Sequence, residues 1–324
     1  MNLKFAFLFM LAAVLGTSTS GSSHAQDYPN KRVTLIVPFP PAGPMDILGR
    51  LLADRLARVW GVPVITANHP GAGGNIGIKR CAESPPDGYT ICILSIAQTI
   101  APSIYANPGF DPVKDFTHIS LLATLPSLLL VDPALPVHSV KEMIALAKAK
   151  PGVLNYSSGG SGTSTHMLME QFKHQAGVDI VHIPYKGQAP ALVDQVSGRI
   201  AVSFGTIIAA QSFVKDGKLR AIAVTTKERF PLLPNIATID ESGLKGFDGG
   251  SWAGLVMPAG IPRPIVNKVN ADLQEILKSP AFKEKILSMG GITVRNSPEE
   301  FAAFVTAEVA TWANVVKTAG IGSN

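Results

Sequence analysis

VTLIVPFPPAGPMDILGRLLADRLARVW, residues 33–60, decides the fold. Val33 to Phe39 is an apolar run of strand length, broken only by Thr34. Asp46 to Trp60 carries Ile47, Leu48, Leu51, Leu52, Leu56 and Val59 on one face of a helical period. The loop between them, Pro38 to Asp46, is built from Pro, Ala and Gly. A strand apolar on both faces, a tight loop and an amphipathic helix together make the opening unit of a parallel sheet covered by helices.

The pattern repeats outward from this unit. Val64 to Ala67 is a strand that leads through a Gly-rich turn, Gly71 to Gly77, into a helix broken at Pro85-Pro86-Asp87-Gly88, and Tyr89 to Ser95 is the next strand. Ile119 to Ala123 and Leu128 to Val131 are apolar runs separated by Pro126. Ser139, with Glu142 three residues on, is a capping box opening a helix that ends before Pro151. Val153 to Tyr156 starts a further strand, turn and helix through Gly159 to Thr163. Ile180 to Ile183, a helix from Gln188 to Ser197 and strands at Ile200 to Phe204 and Leu219 to Thr225 complete a second α/β block. A Pro-punctuated connection, Phe230 to Gly250, returns to a strand near Leu255 and two closing helices, the last opened by Ser297-Pro298-Glu299-Glu300. No later strand could extend the second block. The expected path therefore leaves one domain (26–124 and 248–324), builds another (125–247) and returns, a double crossing suited to hinge closure.

The first 25 residues read as a cleavable secretory signal: Lys4, an apolar run from Phe5 to Leu15, and a small-x-small site ending at Ala25. The apolar run is shorter than the roughly 20 residues a membrane span needs. An exported, soluble, monomeric protein is expected. The formal net charge of +5 is scattered, with no basic arm of the kind that binds nucleic acid. Cys81 and Cys92 are the two cysteines. Their spacing permits either a disulfide or two buried thiols, and without a Cys-x-x-Cys pair it argues against a zinc or redox centre.

Three Gly-rich turns join a strand to a helix: Pro38 to Asp46, Gly71 to Gly77 (Gly73 within it) and Ser157 to Thr163. Small residues there admit a ligand to the backbone, where the free amides of the helix's first turn favour an anion. Enzymatic readings of the same turns fail. Gly71 to Gly77 has its third glycine one residue late for a dinucleotide fingerprint. Gly159-Gly160-Ser161-Gly162-Thr163 ends in Thr where a nucleophile elbow needs Gly, and no histidine follows Asp194 or any later acid to complete a hydrolase order. The seven histidines show no metal-binding spacing, so no metal or cofactor is expected. His166 could reach a bound anion or serve only as support on its helix. Ser95 and Gln98 beyond one strand, and Phe204 and Thr206 at the end of another, have an opportunity to face a cleft, while Lys186 reads as a loop lysine.

In order along the chain, Pro38-Phe39 with Gly43 and Asp46, Pro70 to Gly77, Pro86-Asp87-Gly88-Tyr89-Thr90, Tyr156-Ser157-Ser158-Gly159 with Gly162-Thr163 and His166, and Pro184-Tyr185-Lys186-Gly187 resemble the solute receptors of tripartite tricarboxylate transporters, the Bug receptors. The resemblance implies a two-domain periplasmic-binding-protein fold, type II-like, with two mostly parallel sheets and a ligand cleft between them. It implies a periplasmic, non-enzymatic receptor that hands a di- or tricarboxylate, an acidic amino acid or an aromatic acid to membrane subunits of a transporter. It places Phe39, Pro40, Ala42, Gly43 and Asp46 on one wall, and Gly159, Gly160, Ser161, Gly162, Thr163 and His166 on the other, with Thr206 joining them; Ser158, just before the second loop, is a further ligand candidate. Met45 stands where the family commonly has a small hydroxyl, which suits a more apolar or aromatic acid. A ligand sensor for a signalling partner, or an exported α/β enzyme acting on a carboxylic acid, are the competing functions.

Overall fold

Val33–Val37 (β1) and Pro44–Trp60 (α1) form the first unit of the protein, with Phe39 left to the loop and the helix starting earlier than its apolar stripe. Pro44 can open the helix because a first-turn residue needs no N–H and its φ is preset. α1 turns Leu48, Leu52 and Leu56 into the core, and burying each is worth about 1.5–3 kcal/mol. The structure, a computed structural model, describes residues 28–318, so the expected signal peptide lies outside the described residues.

Val64–Asn68 (β2), a single 3-10 turn at Ala72–Gly74, Asn75–Ala82 (α2), Thr90–Ser95 (β3), Ile96–Ile104 (α3) and Phe116–Leu125 (β4) continue the first block. The second block runs Ser127–Val131 (β5), Val140–Ala149 (α4), Asn155–Ser158 (β6), Ser164–Ala176 (α5), Val181–Pro184 (β7), Gln188–Val196 (α6), Val202–Thr206 (β8), Ile207–Lys215 (α7) and Arg220–Val224 (β9). Ser251–Pro258 (β10) returns to the first block. Arg263–Lys278 (α8), Pro280–Ser288 (α9), Ile292–Thr293 (β11) and Pro298–Thr318 (α10) follow. Two elements missing from the expectation, α3 and α7, each continue directly from a strand. The end of the chain carries three helices rather than two, and the short β11 pairs with β4 at an edge of the first sheet.

The sheets are ordered β11-β4-β10-β3-β1-β2 and β7-β6-β8-β5-β9. They are mixed rather than mostly parallel, because the returning strand β10 runs antiparallel to both β3 and β4, and the entering strand β5 antiparallel to β8 and β9. The chain passes between the sheets at Pro126 and again just before Ser251, and these crossings lie side by side, since Ser251 pairs with Leu125. One core joins β1, β3 and β10 to α1 and α8, and a second, beneath α3 and α10, centres on Phe301. In the other block Tyr156, Phe172, Phe204 and Phe247 fill the centre. Cys81 and Cys92 form a disulfide that ties α2 to β3. Among the described residues, no helix is long and apolar enough to cross a membrane.

Candidate functional site

Five strands (β1, β3, β6, β7 and β8) each feed a helix, and the five N-cap residues are Gly43, Ser95, Thr163, Gly187 and Thr206. All five line one cavity between the sheets, about 570 Å³ including its open mouth. First-turn amides have no carbonyl within their own helix to bond and carry partial positive charge. The convergence of α1, α3, α5, α6 and α7 therefore sets partial positive charge around a cavity none of whose lining residues is charged. α1 and α6 each lack one first-turn donor, because Pro44 and Pro190 have no N–H, and the Ile207 N–H of α7 is already bonded to the Pro126 carbonyl at 3.0 Å. Met45, Ile96, Ala97, Pro41 and Ala189 give the cavity an apolar body, and Ser164, Thr165, Gln188 and Ser251 add polar groups. Thr206 Oγ1 donates to Gln188 Oε1 at 2.7 Å, fixing that amide against the wall.

Each jaw is braced from behind. In the first loop, Asp46 turns away from the cavity. Its carboxylate accepts from the Ala42 N–H (2.9 Å), Arg50 Nε (2.9 Å) and Asn68 Nδ2 (2.9 Å), and Asn68 Nδ2 also donates to the Phe39 carbonyl (3.0 Å). Burial works against the charge on Asp46, but the hydrogen bonds from Arg50, Asn68 and Ala42 outweigh it and hold the carboxyl below its ordinary value. Ala42 itself sits at φ 63°, a strained conformation for a residue with a Cβ, which this clamp maintains.

In the second loop, the Gly160 carbonyl accepts from Thr163 Oγ1 (2.7 Å) and Ser158 Oγ (3.2 Å), while the Gly159 N–H donates to Thr165 Oγ1 (3.0 Å). The Gly162 N–H donates to His166 Nδ1 at 3.2 Å. His166 stacks on His182 with ring centres 4.2 Å apart, and His182 stacks on Tyr156 at 4.7 Å. Tyr156 Oη in turn donates to Glu170, which pairs with Lys173 at 2.8 Å. The rings thus form a pillar under the loop.

The structure sorts the residues expected from sequence by where it puts them. Phe39, Pro40, Gly43, Met45, Ser95, Gly159, Thr163 and Thr206 line the cavity. Gly73, Gly160 and Ser161 line an adjoining opening at its mouth, together with the exposed Lys186, and Gly162 faces the end of α3. Ala42, Asp46, Ser158 and His166 are placed as braces, and none of them lines the cavity. Gln98 also stands behind the wall, its Oε1 accepting from Ser95 N–H (3.0 Å) and Ser95 Oγ (2.8 Å). Phe204 is a correction: alternation along β8 turns its ring into the core of the second block against Phe172 and Phe247, away from the cleft that the end of the strand reaches. Sequence reasoning missed Gln188, Ser164, Thr165 and Ser251. The first three sit at helix starts: a search for polar residues just after each Gly-rich turn would have found Ser164 and Thr165, and the single Gly187 before the helix was the signal for Gln188. Among the described residues, no cluster of His, Cys, Asp and Glu is arranged to hold a metal ion.

The pillar predicts a pH dependence. Burial pushes His182 down to about 4, with His166 beside it adding to the effect and Lys173 and Glu170 acting in opposite directions; burial also lowers His166. The unfolded chain, with His near 6.5, binds more protons than the folded one between those values, so stability is complete above about pH 6.5 and is lost as the pH falls toward 4. The expected loss traceable to His182 is on the order of 2 kcal/mol after allowing for partial solvent access. Urea titrations at pH 7.0 and 4.5 should show a smaller pH effect in His182→Asn than in the unaltered protein. Equal pH effects in both would remove the pillar as its source.

Residues 48–321 match the family described as tripartite tricarboxylate transporter family receptor. Protein BugT of Bordetella pertussis is 32% identical over 317 residues, 96% of this chain and 97% of its own length. Among solved structures, a protein of R. palustris with adipate superposes with a TM-score of 0.90 at 36% identity, over 92% of this chain and 100% of that one. The periplasmic binding protein BugD gives 0.88 at 34%, over 92% and 100%. MatC from Rhodopseudomonas palustris with bound malate gives 0.85 at 31%, over 89% and 100%.

Proposed function

Because the chain belongs to the family of tripartite tricarboxylate transporter receptors, we propose that its cavity holds a small carboxylic acid with an apolar body and delivers it to membrane subunits of such a transporter. It is a carboxylate-binding solute receptor of the periplasmic type, like the relatives solved with adipate and with malate. One observation carries the finer reading: five helix N-caps surround a single cavity with no charged lining residue. Such a site attracts an anion without a counter-cation. It offers no carboxylate to an amino acid's ammonium group, so an amino acid would bury that charge unpaired, at a cost of several kcal/mol. Pro41, Met45, Ile96 and Ala97 favour methylenes or an aromatic ring over the hydroxyl groups of citrate or malate.

The division into residues 26–124 with 248–324 and residues 125–247 belongs to the same proposal. Closure would turn on Pro126 and on the Gly249-Gly250 stretch next to it, with residues 1–25 as the export signal. A thermal-shift and calorimetric panel tests the ligand class. Adipate and benzoate are expected to stabilise the protein more than malate, citrate or glutamate, and arginine not at all. Strong stabilisation by glutamate or citrate with none by adipate or benzoate would overturn the apolar-acid reading. Delivery is tested by deleting the gene and measuring uptake of the identified acid, since unchanged uptake would leave a sensor in its place.

A further inference from the structure

Away from the crossing strands, the two blocks touch at the mouth of the cleft. Tyr105, the residue that ends α3, donates from Oη to the Ser161 carbonyl at 3.0 Å. Ser161 belongs to the loop that caps α5, so this bond ties a side chain of the first block to the carboxylate cradle of the second. Two close approaches and one ordinary packing contact surround it. Gly73, at φ 65°, lies so near that a Cβ on it would stand 2.9 Å from the Ser161 oxygen. A Cβ on Gly187, at φ 127°, would stand 2.9 Å from Pro40 Cγ, and one on Gly162, at φ 77°, would stand 3.6 Å from the Tyr105 ring. The backbones on both sides thus meet where glycine leaves room, and Tyr105 supplies the polar contact.

We propose that Tyr105 is a positioning residue for ligand capture: it does not line the cavity, but its bond to Ser161 holds the two jaws together and thereby sets how long a bound acid stays. Partial burial raises the phenol above its ordinary range, so it remains a proton donor at neutral pH. α3 carries the coupling. Its first residue, Ile96, lines the cavity, and Tyr105 follows its last residue, so one rigid helix reaches from the ligand to the latch. The loop is held from both sides, with His166 bonding Gly162 from below and Tyr105 bonding Ser161 from across the cleft. Losing the second bond frees the mouth and leaves the cavity walls unchanged.

Tyr105→Phe removes the hydroxyl and keeps the ring that packs beside Gly162. With adipate as the probe, the dissociation rate is expected to rise about five- to tenfold, the range one hydrogen bond spans, while the association rate stays within about twofold. The melting midpoint of the ligand-free variant should match that of the unaltered protein. An unchanged dissociation rate would overturn the proposal, as would a fall in the ligand-free melting midpoint that accounts for the whole effect. The inference uses the carboxylate-receptor reading only for its probe. Electron–electron distances between spin labels at Lys114 and Lys215, one on each block, test the latch without any ligand. Tyr105→Phe should broaden that distribution toward longer separations. An unchanged distribution sinks the latch even if acids bind, whereas failure of every acid in the panel to bind, with a broadened distribution, sinks the ligand reading alone.

Discussion

Gln188→Glu is expected to weaken carboxylate binding at least 100-fold at pH 7 with little change in melting temperature. Gln188 is the first residue of α6, is 9% exposed, and lines the cavity with its Oε1 fixed by Thr206. Glutamate has the same shape and can still accept from Thr206, so the fold loses nothing. The new charge, however, faces a bound carboxylate across a cavity without a cationic side chain. Two unit charges about 4–5 Å apart repel by about 3–4 kcal/mol at an effective dielectric constant near 20, which corresponds to a few hundredfold in affinity. The α6 N-terminus offsets part of that repulsion, which is why 100-fold is set as the floor. Affinity should recover as the pH falls toward 5 and the new carboxyl takes up a proton. Calorimetry at both values checks this, and affinity within threefold of the unaltered protein at pH 7 would show that Gln188 does not face the ligand.

The second large effect concerns stability. Phe301→Ala should cost about 3–5 kcal/mol, the range for deleting a fully buried aromatic ring. Phe301 is completely buried, and its ring meets Trp252 and His118 edge to face, with centres 6.0 and 5.6 Å apart. The space it occupies exists because Gly254, in the middle of β10, has no side chain; a Cβ there would collide with the ring. Gly254→Ala alone should therefore destabilise by about 1–3 kcal/mol through overpacking. In the Phe301→Ala background the same change should be close to neutral, and urea denaturation of the four proteins gives the coupling directly. Additive losses would mean that α10 shifts to relieve the collision.

How much of this was legible in the sequence depended on contrast between the faces of each element. Residues 33–60 announce a strand and a helix because α1 is buried along one face and exposed along the other. α3 spaces Ile96, Ala97, Ile100, Ala101 and Ile104 helically, but it is short, its polar Gln98 and Thr99 are buried like its apolar residues, and Pro102 argues against a helix, so its start directly from β3 was not legible. α7 begins Ile207-Ile208-Ala209-Ala210 and continues a strand without a turn, which hides its start in the same way. The two Gly-rich jaws were visible because loops that bring backbone to a ligand need residues without bulk. First-turn amides were expected there in general terms, but which helix starts converge on one cavity was not legible, since every helix possesses such amides. His166 shows the limit of reasoning from residue type: a histidine beside an anion loop looks like a ligand group, yet it accepts a hydrogen bond from that loop and stacks beneath it.

The uncharged cavity has one more consequence. On the proposed reading its attraction for an acid comes from peptide groups held by the fold, so changes in the lining side chains would alter the shape of the acid accepted without giving up hold on its charge. A binding pocket of this kind is easily retrained by drift. Gene copies could diverge toward new nutrients through one or two neutral substitutions, such as those at the Met45 position, with the ancestral affinity for anions intact throughout.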